Sequence, residues 1–291
     1  MRTRRQAIEW PDFWRGAQAV LATQHQKERA VARPFRSALG LQVLVPPDLD
    51  TDQLGTFSGE RPRPGSPLET VLMKARLGMT ALGLRVGLAS EGSFGPHPAS
   101  PLLPGSTEWL AFVDDERGLQ IVERLTTSET NFSHIVVGPG DKLDRFLMRA
   151  RFPSHALVVR PNDGDGAVRK ALASRAELDG AILESSEASR DGRARIETDM
   201  RAHLNPTRMR VIRRVAFRLV RRLATACPAC RAPGFGMAET EAGLPCESCG
   251  SPTDFVAREI WLCGSCGYRE VRGRFDGRSH APASACPHCN P

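Results

Sequence analysis

The sequence has no apolar run that approaches the roughly 20 residues needed to span a bilayer. Its N-terminus, MRTRRQAIEWPDFW, is basic but lacks the apolar core of a signal peptide. From these two absences we expect a soluble, cytoplasmic protein with no membrane partner. The formal net charge of +7 favours anionic partners such as nucleotides or nucleic acid.

Cysteine is absent from the first 226 residues, and the eight cysteines form four Cys-x-x-Cys pairs. The pairs are Cys227/Cys230, Cys246/Cys249, Cys263/Cys266 and Cys286/Cys289. Without a secretion signal, this spacing indicates metal binding rather than disulfides. Eight thiolates complete two tetrahedral Zn²⁺ sites with no open position for water, so we expect two structural zinc ions in a double zinc-ribbon module. We favour sequential pairing, which joins the first two pairs on one ion, over nested and crossed pairings.

Strand-like and helix-like stretches alternate through residue 200. AQAVLAT, LQVLV and LRVGLAS are strand-like, whereas QKERAVARPFRSAL and LETVLMKARLGMTALG are helix-like. EWLAFVDDERGLQIVERLT predicts an antiparallel hairpin, and AVRKALASRAEL predicts a further helix. The alternation predicts an α/β domain over residues 1–204, in which helices flank a mixed sheet.

A basic helix is predicted to follow, with Asn205 as its N-cap and Pro206 as its first residue. An apolar stripe is formed by Met209, Ile212, Ala216, Leu219 and Leu223. Arginines occupy the remaining surface: Arg210, Arg213, Arg214, Arg218, Arg221 and Arg222. We therefore expect a basic connecting helix over 205–225 and the zinc module over 226–291. The arginines suit a solvated face, and contact with phosphate or RNA is the alternative.

The stretch LASEGSFGPHP, residues 88–98, contains the first group of candidate site residues. It follows an apolar strand, and strand-end loops are where α/β sheets place ligands. We expect a rigid loop in which Glu91 holds a metal or water, with Ser93 and His97 as substrate-binding candidates. The simpler interpretation is that Glu91 caps the loop and that Gly92 and Gly95 serve backbone angles alone.

Two earlier elements contribute further candidates. Thr23 and Lys27 lie between a strand and a helix, an arrangement suited to anions at a helix N-terminus. Glu69 and Lys74 lie five positions apart in one predicted helix. If Lys27 and Lys74 converge on the loop at Glu91, the three elements can hold the phosphates of a small phosphorylated ligand.

The segment ETDMRAHLNPTRM forms a second polar cluster. In an extended chain, Glu197, Asp199 and Arg201 project to one face, where the two carboxylates can share a divalent ion. Arg201 or Arg208 can clamp a phosphate, and His203 is a further candidate for substrate binding. The alternative is an ion-pair network that fixes the following helix to the sheet.

The three N-terminal elements, in this order, resemble the inosine triphosphate pyrophosphatase superfamily. The resemblance implies that Thr23, Lys27 and Lys74 bind phosphate and that Glu69 and Glu91 hold Mg²⁺ or activate water. It also implies hydrolysis of a nucleoside triphosphate to a monophosphate and pyrophosphate. The chain departs from the pattern where Gln24 and His25 replace small polar residues and Ser-Glu replaces a pair of aspartates.

Nearly the full length resembles an uncharacterised bacterial family that is described as a domain of unknown function. DTDQLGTFSGE, SEGSFGPHP, ETDMRAHLNPTRM and the cysteine pairs carry this resemblance, which implies no activity. We expect a Mg²⁺-dependent hydrolase of a nucleotide or related phosphoanhydride, with Glu69, Glu91 and Asp199 as catalytic residues. The alternative is an adaptor whose zinc ribbons and basic helix bind nucleic acid or protein, while the α/β domain serves as a scaffold.

Overall fold

The computed structural model describes residues 13–50 and 65–290. It has a mixed α/β fold followed by two clusters of four cysteines, as the sequence predicts. Most of the DTDQLGTFSGE stretch, residues 51–60, lies outside the described residues. The first sheet, sheet A, has the strand order β2-β1-β3-β4-β5. Its strands are β1 (Gln18–Ala22), β2 (Gln42–Leu44), β3 (Val86–His97), β4 (Ser100–Asp114) and β5 (Leu119–Thr127).

Helices cover both faces of sheet A. On one face, α1 (Glu28–Leu39) and α5 (Pro206–Leu223) pack together over alternate residues of the central strands, including Leu21 and Leu88. On the opposite face, α2 (Pro67–Leu82) packs on the residues between them, such as Ala22 and Ala89. This alternation is what a strand with both faces buried requires.

The helix predicted at Asn205 forms as expected. The Asn205 side chain accepts a hydrogen bond from the backbone N–H of Arg208, and Pro206 is the first helical residue. Four residues of the predicted apolar stripe are buried: Ile212, Ala216, Leu219 and Leu223. Because these residues belong to the core beneath sheet A, α5 is part of the α/β packing as well as a connection to the cysteine module.

Residues 134–198 form a separate sheet, sheet B, in the order β6-β9-β7-β8. It contains β6 (His134–Val137), β7 (Leu157–Pro161), β8 (Arg169–Leu172) and β9 (Ala194–Thr198), and its helices are α3 (Asp144–Ala150) and α4 (Arg175–Ala188). All of its strand pairs are antiparallel, and it packs around its own apolar cluster. The predicted α/β region therefore contains two sheets with separate cores.

Two predicted elements are wrong. AVRKALASRAEL is not one helix, because its first part pairs with β7 as β8, and α4 begins at Arg175 after a capping box formed by Ser174 and Glu177. The loop predicted to follow Ser90 is also incorrect, because β3 continues to His97 along β4. The pairing of β3 with β1 ends at Ala89. Pro96, which has no backbone N–H to donate, therefore interrupts no pairing on the β1 side of the strand.

Candidate functional site: a buried charge cluster and two cysteine clusters

The carboxyl ends of β1 and β3 form a topological switch point. β1 pairs in parallel with β2 on one side and with β3 on the other. The chain reaches β2 through α1 on one face of the sheet and reaches β3 through α2 on the opposite face. Parallel strands that diverge in this way leave a crevice at their carboxyl ends, which is where open α/β sheets bind ligands.

Two buried lysines reach this crevice from the two helices. Lys27, the N-cap residue of α1, donates from Nζ to the backbone carbonyl of Ser90 at 2.9 Å. Lys74 of α2 donates from Nζ to Oε2 of Glu91 at 2.7 Å. Because Ser90 and Glu91 are adjacent on β3, the convergence on which the sequence hypothesis depends is present in the structure.

A buried ion pair lies on the α5 side of the same crevice. Arg208 donates from Nε to Oε1 of Glu108 on β4 at 2.6 Å, and both side chains are 1 % exposed. The guanidinium also donates to the carbonyl of Met200 and lies over the ring of Phe94 at 5.1 Å. Since Arg208 is held by a carboxylate, a carbonyl and an aromatic ring, its position is fixed before any ligand binds.

Gly92 makes room for this ion pair. A Cβ atom at Gly92 would lie 2.5 Å from Nη2 of Arg208 and 2.6 Å from Oε1 of Glu108. Neither Gly92 nor Gly95 has a positive φ, and a Cβ atom at Gly95 would meet nothing within 4 Å. The interpretation that these glycines serve backbone angles is therefore wrong, and Gly92 is required for space.

We call Lys27, Lys74, Glu91, Glu108 and Arg208 the switch cluster. With three cations and two carboxylates it has a formal charge of +1, and all five side chains are buried. Burial, and then the charge of Arg208, lower the pKa of Lys27 from 10.5 to about 7. An anion in the crevice would offset both effects, so the cluster is suited to a negatively charged ligand.

Two histidines stack beside the switch cluster, with the ring centroids of His25 and His203 5.4 Å apart. Burial, followed by the charges of Lys27 and Arg208, lowers the pKa of His25 to about 3. Burial and Arg201 also lower the pKa of His203. Burial first, and then the positive surroundings, thus hold His25 in its neutral form at neutral pH.

Buried polar atoms without a partner occur around the same crevice. Within the described ranges, Oγ of Ser90, Oγ1 of Thr70 and Nδ1 of His203 are buried and form no hydrogen bond. Thr70 precedes Lys74 by one turn of α2, and Ser90 is the residue whose carbonyl binds Lys27. An unpaired buried hydroxyl is costly, and a ligand oxygen that accepts a hydrogen bond would relieve that cost.

The remaining N-terminal candidates occupy different positions. Thr23 is buried beside the crevice, and its Oγ1 accepts a hydrogen bond from the backbone N–H of His25. Glu69 is exposed, and its carboxylate accepts hydrogen bonds from the backbone N–H and the hydroxyl of Ser66. Its own backbone N–H donates to Oγ of Ser66, which completes the capping box of α2. The described contacts engage Glu69 at the start of α2 and do not join it to Glu91.

Two candidates lie farther along β3. Ser93 is half-buried and pairs with Thr107 of β4 two residues beyond Glu91. His97 lies at the end of the hairpin, where its Nδ1 accepts a hydrogen bond from Ala99. His97 lies six residues beyond Glu91 along the extended strand, a distance of about 20 Å, so the structure does not bring His97 to the switch cluster.

The carboxylates of ETDMRAHLNPTRM do not share a cation site. Glu197 is bound by Arg160 and Arg195 at 3.0 and 2.6 Å. Asp199 pairs with Arg201 at 2.6 Å and also accepts a hydrogen bond from the backbone N–H of Ala171 in β8. The two carboxylates are held by different arginines, and the link from this segment to the start of α5 is a separate hydrogen bond, which the Asn205 side chain donates to the backbone carbonyl of Asp199 at 3.1 Å.

The sequence interpretation missed Glu108 and Ser90. Glu108 is a lone carboxylate at the start of the apolar run WLAFV in β4, and a charge in such a position indicates a buried partner. That partner, Arg208, lies 100 residues away in the chain, so the pairing could not be seen without the fold. Ser90 is the serine of the Ser-Glu pair that stands where the resembling superfamily has two aspartates, and that position was the signal that could have identified it.

The carboxylates of the switch cluster do not form a ready Mg²⁺ site. Glu91 binds Lys74 on the α2 side of sheet A, whereas Glu108 binds Arg208 on the α5 side. Among the described residues, the groups of three or more potential ligands that lie close together are the two cysteine clusters. The protein side chains as arranged therefore do not fit the predicted Mg²⁺ ligand set.

The cysteines pair in the crossed arrangement rather than the sequential one that the sequence analysis favours. One cluster joins Cys227/Cys230 to Cys263/Cys266, and the other joins Cys246/Cys249 to Cys286/Cys289. The reason lies in a three-stranded sheet of β10 (Gly236–Ala242), β11 (Val256–Leu262) and β12 (Arg269–Gly273). Successive antiparallel strands carry successive cysteine pairs to alternate ends of this sheet, so the first pair meets the third and the second meets the fourth.

Both clusters have the dimensions of a metal site. Neighbouring sulfur atoms lie 3.7 and 3.8 Å apart in the first cluster and 3.6 and 4.0 Å apart in the second. A tetrahedron with Zn–S bonds of ~2.3 Å has sulfur atoms ~3.8 Å apart. Each cluster can therefore hold one metal ion with four thiolates and no vacant position.

The described helices include none that is long and apolar enough to cross a membrane. A family model described as "Domain of unknown function (DUF6671)" matches residues 74–291. The chain belongs to this family. The match includes Lys74, Glu91, Glu108, Arg208 and both cysteine clusters, whereas Lys27 lies outside it. No curated protein matches the chain.

Proposed function

We propose that the switch cluster binds the phosphate groups of a nucleotide or a related small molecule and hydrolyses its phosphoanhydride bond. The observation that supports this most is a buried cluster of net positive charge at a topological switch point. Two buried hydroxyls without partners belong to residues next to its members in the same elements: Ser90 precedes Glu91 on β3, and Thr70 lies one turn before Lys74 on α2. Phosphate oxygens would accept hydrogen bonds from these hydroxyls and from the three cations.

The lysines and Arg208 would stabilise the negative charge that develops on the phosphate oxygens as the anhydride bond breaks. When a phosphate binds Lys74, it competes with Glu91 for the same ammonium group. Glu91 then becomes available to accept a proton from the attacking water. The water oxygen forms a bond to phosphorus, the bridging oxygen leaves with the departing phosphate, and the proton remains on the carboxylate.

Each step proposed here uses the side chains of the protein. The predicted dependence on Mg²⁺ therefore requires an ion that arrives on the phosphates of the substrate, as Mg²⁺ commonly does. For the two cysteine clusters we propose structural Zn²⁺, because four thiolates fill its preferred tetrahedral shell.

The test is release of phosphate or pyrophosphate from a panel of nucleoside di- and triphosphates, with and without Mg²⁺. Glu91→Gln should lower kcat by roughly 10²- to 10⁴-fold, as expected for loss of a general base. The exposed Glu187 provides a matched control, because Glu187→Gln makes the same chemical change on α4, which packs on sheet B. Metal content and circular dichroism should be the same in all three proteins.

Lys74→Met, compared with Lys142→Met at an exposed lysine, tests charge stabilisation separately from proton transfer. We expect the first variant to lose activity and the second to retain it. If the wild type releases nothing from any nucleotide, or if Glu91→Gln is as active as the wild type, the proposed hydrolysis is wrong.

A further inference from the structure

Helices α1 and α5 lie side by side on one face of sheet A, and both present arginines to solvent. Arg213 of α5 donates from Nη2 to the backbone carbonyl of Arg29 in α1 at 3.4 Å, which places the two helices in lateral contact. The exposed residues of the two helices therefore form one shared surface.

The helical spacing aligns the exposed residues. On α1, Arg29, Arg33 and Arg36 recur at intervals of four and three residues, so they share one face. On α5, Arg213, Phe217 and Arg221 recur at intervals of four. The six residues form the basic face: Arg29, Arg33, Arg36, Arg213, Phe217 and Arg221.

The arginines of the basic face lack acidic partners. In residues 13–50 and 65–290, none of these five guanidinium groups lies within 4.0 Å of a carboxylate. On the other side of α5, by contrast, Arg214 pairs with Glu129 and Arg222 pairs with Glu123. The charge of the basic face is therefore not neutralised within the described chain, and it attracts anions.

The cysteine module has the opposite charge. Residues 226–291 contain six arginines, no lysine and seven aspartates and glutamates, a formal charge of −1. Each divalent ion bound by four thiolates adds a further −2, because four negative charges exceed the charge of the ion. A polyanion would therefore be repelled by this module and attracted to the α1–α5 surface.

The nature of the polyanion follows from the side chains. An amphipathic helix that lies on a membrane needs an exposed apolar face, but the apolar face of α5 is buried against sheet A. Phe217 is 56 % exposed and lies between arginines. An exposed aromatic ring among cations is the arrangement that binds single-stranded nucleic acid, through base stacking and phosphate contacts.

We propose that the basic face binds single-stranded nucleic acid. This interaction goes beyond the proposed hydrolysis and does not depend on it. Helices α1 and α5 both begin beside the switch cluster, at Lys27 and Arg208, so a bound strand would lie along a surface that starts at the crevice. The cysteine module contributes no phosphate contact.

The experiment measures binding of fluorescein-labelled 20-nucleotide single strands of RNA and DNA to the full chain by anisotropy at several salt concentrations. Up to five phosphate contacts predict a slope of log K against log salt of about −3.5. Arg33→Gln/Arg36→Gln and Arg213→Gln/Arg221→Gln should each weaken binding on the order of tenfold and reduce the slope by about 1.4. The control is Arg145→Gln/Arg149→Gln, which removes the same charge from exposed positions of α3.

Phe217→Ala should weaken binding of single strands by roughly fivefold or more, with little effect on a duplex of the same length. The proposal is overturned if no strand binds, if the control pair weakens binding as much as the two test pairs, or if Phe217→Ala has no effect. Binding to vesicles with anionic lipid but not to oligonucleotides would also refute it, in favour of a membrane surface. Because the readout is binding, failure of the proposed hydrolysis would leave these results unchanged.

Discussion

Raising the pH from 7 to 9 should weaken the binding of adenosine monophosphate to the switch cluster by about 50-fold. The prediction depends on Lys27, whose pKa is lowered to about 7 by burial and by Arg208. Half of the Lys27 side chains are protonated at pH 7, but only about one in a hundred at pH 9. The phosphate group of the ligand has its second pKa near 6, so it remains a dianion throughout this range.

The energy involved is large because Lys27 is fully buried. Lowering the pKa of Lys27 from 10.5 to about 7 corresponds to roughly 5 kcal/mol in favour of the neutral amine in the unliganded protein, relative to a lysine in water. In the unliganded protein, the fold gains stability as the pH rises from 7 towards 10.5, because the unfolded chain binds more protons there. A bound phosphate favours the charged form of Lys27 instead, so phosphate binding is accompanied by uptake of a proton by this lysine.

Isothermal titration calorimetry at pH 7, 8 and 9 would measure the affinity, and buffers with different ionisation enthalpies would count the protons. Lys27→Arg should retain affinity at pH 9, since the guanidinium stays charged. Lys27→Met should bind weakly at each pH. An affinity that is constant between pH 7 and 9 would falsify this account, as would a Lys27→Met variant with the same pH dependence as the wild type.

Three further predictions concern the buried ion pair, Gly92 and the cysteine clusters. Arg208→Leu should lower the free energy of unfolding in urea by roughly 3–5 kcal/mol, because it leaves Glu108 buried without a partner. An unchanged free energy of unfolding would contradict the buried pair. Gly92→Ala should lower the free energy of unfolding by about 1–3 kcal/mol through overpacking, whereas Gly95→Ala should change it by less than ~0.5 kcal/mol. Equal shifts in the melting temperatures of the two variants would argue against the close approach at Gly92. Cys286→Ser should reduce the content of bound metal by one ion per chain in mass spectrometry. Retention of two ions would be inconsistent with the second cluster.

The sequence predicted best where the controlling interactions are local. The start of α5 follows from Asn205 and Pro206, and the buried side of that helix follows from its periodicity. The segment 88–98 was misinterpreted because its glycines and prolines are local signals for a loop. Its conformation is instead determined by two features that lie outside the segment. One is the pairing with β4, which begins at Ser100, and the other is the end of β1, whose pairing with β3 stops at Ala89.

The candidate site was predictable in part for the same reason. Lys27 and Glu91 could be proposed together because both were expected where a strand ends, and such positions meet at one edge of a parallel sheet. Lys74 lies in the middle of α2, and it joined them through the resemblance of the three N-terminal elements to a known superfamily. Glu108 and Arg208 meet only through the packing of α5 on β4. Spacing identified the cysteine pairs as metal ligands but could not determine their partners, which depend on how three strands are ordered.

The crossed pairing of the cysteines affects the order of events during synthesis. With sequential pairing, a first metal site could close as soon as Cys249 leaves the ribosome. In the observed arrangement the first site lacks half of its ligands until Cys266 is made, and the second until Cys289 is made. Four thiols therefore wait without their final partners while β11 is translated, a period in which premature metal capture would join the wrong pairs.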